Sequence, residues 1–146
     1  MSTLSHATLP ELISVAEHNN TRIIEHFGRC ELEQLRWKPE PKEWSIGQCL
    51  AHLVITNSCY FPRLEAINAG YHRPKSWERL HFLARLWGPL LIRSFDPQQS
   101  IPMPAPGIFR PPEHIAGPQI IDEFLSKQLK LVDIMRASAD LDLDRL

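Results

Sequence analysis

The sequence predicts an all-α fold, an up-down helical bundle forming a single domain over residues 1–146. Three observations carry that expectation. Apolar residues recur at steps of three and four over long segments, the signature of helices that bury one stripe. No segment alternates apolar and polar residues as a half-buried strand does. The chain has 146 residues, 43% of them apolar and 23% charged, which suits one soluble domain with a core large enough to hold it.

The first helix is expected from about Thr8 to Cys30, with Leu9, Leu12, Ala16, Ile23, Phe27 and Cys30 along its stripe. Pro10 suits the first turn, where its missing N–H costs nothing. The run "EHNN" interrupts the stripe with Asn19 or Asn20 at its centre. Such residues are either hydrogen-bonded within the core or part of the wall of a polar cavity.

"RWKPEPKEW" reads as a connector, because two prolines one residue apart forbid helix. The second helix then starts at Ser45, which forms an S-x-x-Q capping box with Gln48. It is expected to reach about Ala69, with Ile46, Leu50, Leu53, Asn57, Tyr60, Leu64 and Ile67 on its buried face and a kink at Pro62.

A third periodic segment, Ser76 to Phe95, carries Trp77, Leu80, Ala84, Trp87 and Leu91, and Gly88-Pro89 divides it. It reads as an insertion between bundle helices. After it, seven of the thirteen prolines lie between Pro97 and Pro118. This stretch is expected to be a stiff, irregular excursion lying outside the bundle and covering one end or face of it. The last helix runs from Gln119 to about Ala139, with Ile121, Phe124, Gln128, Leu131, Val132 and Met135 inward.

Composition narrows the function. The net charge is −1 with histidines neutral, and the basic residues are scattered singly, so neither nucleic acid nor an anionic membrane is an expected partner. The opening "MSTLSHATLPEL" lacks the regions of a secretory signal, and no apolar run approaches the roughly 20 residues of a membrane span. Cys30, Cys49 and Cys59 have neither zinc-ribbon spacing nor disulfide density. Reduced, mostly buried thiols in a cytoplasmic protein are the expectation. Glycine-rich phosphate loops and a nucleophile elbow are absent.

One residue stands out. His52 falls roughly 100° from the centre of the second helix's apolar stripe, together with Cys49, Thr56 and Cys59. From the residues alone, it is most simply a half-buried histidine that hydrogen-bonds a backbone carbonyl. Cys49 and His52 are three residues apart and could share a metal, but no further ligands accompany them. His72, His81 and His114 read as surface residues.

"WKPEPKEWSIGQCLAHL" resembles the DinB-like family, bacterial four-helix bundles that include damage-inducible proteins and thiol-dependent transferases. A long first helix, a proline-bearing connector, Trp44-Ser45-Ile46 at a helix start and His52-Leu53 two turns later carry the resemblance. It implies a divalent metal, nickel or zinc, held by three histidines, of which His52 is one. The other two form an H-x-x-x-H pair on the family's final helix. None of the seven histidines here forms such a pair. The chain stops at "ASADLDLDRL", about where the final bundle helix would begin, so the domain is expected to be C-terminally incomplete.

The function implied is metal-dependent transfer of a low-molecular-weight thiol to an electrophile, or hydrolysis, with the metal site incomplete. Asn19, Asn20, Thr56 and Asn57 are the candidates to line its cleft, and no residue stands out as a general base. The alternative is a non-catalytic bundle that forms a homodimer or binds a partner.

Overall fold

The computed structural model describes residues 8–70, 105–115, 117–139 and 141. Among them every regular element is helical. Helix α1 spans Leu9–Phe27, α2 Leu32–Arg36, α3 Ile46–Asn68 and α4 Ile120–Ala137, and a single 3-10 turn occupies Gly107–Phe109. The all-α bundle predicted from periodicity is what forms. The segment Ser76 to Phe95 and residues 97–104 lie outside the described residues.

The helix starts follow from side chains. Thr8 and Glu11 make a capping box at α1, and Ser45 and Gln48 make one at α3. The predicted α1 ends early, at Phe27, with Gly28 as its C-cap. Helix α3 runs through Pro62, which is exposed, and ends within a residue of the expected position. Helix α2 lies in a stretch, "LEQLR", for which no element was expected. Its box pairs Glu31 with Gln34, and glutamate is not among the residue types that usually signal a cap.

The core lies where α1, α3 and α4 meet. Leu35, Leu50, Ala51, Val54, Ile115, Ile120, Ile121 and Phe124 are buried together, with Ile23 and Phe27 of α1 packed against them. Leu50 and Val54 in the first half of α3 thus share the cluster with the first turns of α4. Farther along, Lys130 pairs with Glu65 at 2.7 Å and covers the Phe61 ring. Asn68 Nδ2 donates to the Ile134 carbonyl at 2.9 Å, and the Ser138 hydroxyl donates to Asn68 Oδ1 at 2.7 Å. Helices α3 and α4 therefore run parallel, with the start of α4 beside the start of α3. Helix α1 runs antiparallel to α4, since its C-terminal Ile23 and Phe27 join the cluster near the start of α4 while Glu17 pairs with Arg136.

Two expectations need correction. The buried face of α3 is Gly47, Gln48, Leu50, Ala51, Val54 and Phe61, whereas Leu53 and Tyr60 are 40% and 50% exposed. The small residues Gly47 and Ala51 lie on the buried side, where the Leu35 backbone comes close to Gly47, and a reading weighted by hydrophobicity turned the helix away from them. A Cβ at Gly47 would overlap Cδ1 of Ile115 and come within 3.0 Å of the Leu35 carbonyl oxygen. The second correction concerns residues 105–115, which are irregular as expected but do not stay outside the bundle. Ile115 is a member of the core and Pro111 is also buried.

Candidate functional site

Residues 105–115 form a strap laid on the N-terminal half of α3. Pro106, Pro111 and Pro112 remove backbone donors and prevent helix or ladder pairing, so the strap's carbonyls need partners from elsewhere. Side chains of α2 and α3 supply them. Arg36 donates through Nη2 at 2.6 Å and Nε at 3.2 Å to the Ile115 carbonyl. Gln48 Nε2 donates to the carbonyls of Pro112 and Glu113, each at 3.1 Å. His52 Nδ1 meets the Phe109 carbonyl at 2.6 Å.

Gln48 does two jobs. Its Oε1 accepts from the Ser45 N–H at 3.1 Å while its own N–H donates to Ser45 Oγ at 3.2 Å, closing the capping box. The same amide group then holds the strap. Ser45 and Gln48 are both buried.

His52 is half-buried, on the side of α3 roughly 150° from the buried face at about 100° per residue. The strap and Trp44 cover it, rather than the bundle. The Trp44 ring lies against it with centroids 5.1 Å apart, and one step along the strap Phe109 stacks on Tyr60 at 6.0 Å. A carbonyl oxygen can only accept, so the proton of neutral His52 sits on Nδ1 and the lone pair on Nε2. The carbonyl-bonded histidine read from the sequence is therefore present, and its partner is Phe109.

The other candidates are scattered. Asn19 is exposed on α1, while Asn20 is buried and its Oδ1 has no hydrogen-bond partner among the described residues. On α3, Thr56 Oγ1 and Asn57 Nδ2 are buried and likewise lack partners among the described residues. Thr56 is one turn from His52; Asn57 turns toward the core side of the helix. No hydrogen bond joins Asn20 to either.

Cys49 and Cys59 are exposed and Cys30 half-buried, all three as free thiols, which corrects the expectation of mostly buried cysteines. Cys49 and Cys59 lie on the strap side of α3, outside the bundle contact. Desolvation around the Cys49 sulfur pushes its thiol pKa up.

A family model for the DinB superfamily matches residues 16–145. The chain belongs to the DinB superfamily. Neither the curated proteins nor the solved structures gave a match. DinB membership agrees with the helix order and with the Trp44-Ser45-Ile46 start of α3. It also raises the question of a metal. Among the described residues no group of three or more His, Cys, Asp or Glu side chains could hold one. His52 offers a single nitrogen, so the described residues do not fit a three-ligand ion. Among these residues no helix is long and apolar enough to cross a membrane.

The strap contacts were missed in the sequence. A proline-rich segment does announce unpaired carbonyls, and Gln48 and Arg36 are long donors near the connector, but nothing in the spacing says that they meet.

Proposed function

We propose that this DinB chain takes part in metal-dependent transfer of low-molecular-weight thiols to an electrophile, or in hydrolysis, with His52 as one ligand to nickel or zinc and the remaining ligands supplied from outside the described residues. The single observation that supports the reading is the bond from His52 Nδ1 to the Phe109 carbonyl. Metal-binding histidines commonly donate their second N–H to a carbonyl or carboxylate, which fixes the ring and frees the other nitrogen. One imidazole holds a divalent ion poorly against water, since protein sites use three or four ligands. The described ligands alone are therefore expected to bind metal weakly and to give no turnover. A cytoplasmic setting goes with the three free thiols.

Equilibrium dialysis with nickel or zinc tests this proposal. Stoichiometric binding at micromolar affinity or tighter, lost in His52→Ala, supports a site completed from elsewhere in the chain or by a second copy. No saturable binding to the chain would favour the second reading, a non-catalytic bundle that dimerises or binds a partner. That reading draws on the apolar side chains left in water, among them Trp37 at 65% exposure and Ile108 at 71%. Sedimentation of the chain over a range of concentrations reports on self-association directly.

A further inference from the structure

We draw no further inference here: the strongest candidate, the apolar surface patch on α3 where Tyr60 stacks on Phe109 of the strap and Leu53 and Ile108 are also exposed, carries nothing, because nothing in the structure shows what covers it.

Discussion

Helices α1 and α3 begin with the same device placed in opposite surroundings. At α1, Thr8 and Glu11 close a capping box in water, the Thr8 N–H donating to Glu11 Oε2 at 2.7 Å, and both residues are exposed. At α3, Ser45 and Gln48 close theirs in the interior, and the glutamine amide continues outward to two carbonyls of the strap. The first box does a local job and uses a charge. The second uses a neutral amide, as a buried position requires, because an unpaired carboxylate there would carry a heavy desolvation cost. One motif therefore starts a helix in one place, and in the other starts a helix and also holds the strap. The contrast implies a graded series of effects.

The largest effect is expected at Gln48. Replacing it with alanine removes the cap's glutamine bond and leaves two strap carbonyls without donors, a loss of about 3 kcal/mol. Urea unfolding should show the unfolding free energy falling by that amount at an unchanged m-value, with hydrogen exchange quickening along 105–115. A variant as stable as wild type would mean that the strap contacts contribute nothing. Gly47→Ala comes next. Its methyl would overlap Ile115 Cδ1 and press on the Leu35 carbonyl. The Ile115 tip can rotate but the backbone oxygen cannot, so about 2 kcal/mol of destabilisation is expected despite alanine's better helix propensity. Thermal unfolding decides it, because propensity alone would raise the midpoint.

These positions also show how far the sequence could be read. Ser45 as N-cap, the ends of α3 and the burial of Ile121, Phe124 and Val132 on α4 were legible because they depend on neighbours a few residues away, whereas the buried Ile120 and Ile134 fell outside the expected stripe. The carbonyl-bonded state of His52 was legible as a type of contact but not as a contact with Phe109. Gln48 was read only as half of a capping box, since its second role depends on carbonyls more than 60 residues later in the chain. The orientation of α3 was missed for a related reason. Gly47 and Ala51 carry little hydrophobic signal, yet both are buried, and Gly47 lies against the Leu35 carbonyl of α2 and Ile115 of the strap, whereas Leu53 and Tyr60 carry a strong signal and face outward. Close approach of backbone is a property of the partner, and a single helix does not encode it.

Ser45→Ala separates the cap from the strap. It removes the acceptor for the Gln48 N–H while leaving the glutamine amide free to hold Pro112 and Glu113. About 1 kcal/mol of stability should go, with the strap's exchange rates nearly unchanged. If the strap opened as far in Ser45→Ala as in Gln48→Ala, the two roles of the glutamine would be one.

The smallest effect belongs to the exposed box, and it alone should respond to acid. The backbone N–H and hydroxyl of Thr8 both donate to the Glu11 carboxylate and hold its pKa below the ordinary value. A carboxyl lowered in the folded state stabilises fully above its unfolded pKa, about 4.3 for glutamate, and that contribution disappears as pH falls through the lower folded value. The first turn of α1 should therefore loosen as the pH is taken below the usual glutamate range. The start of α3 has no carboxylate in its box and should not share this transition. The Thr8 amide chemical shift, followed by NMR through that range, should titrate with a midpoint below that of an exposed glutamate, and Glu11→Gln should abolish the titration. The Ser45 amide should stay flat until the whole chain unfolds. A Ser45 shift that followed the Thr8 curve would mean that α3 feels the same proton, and the distinction between a local and a buried cap would fail.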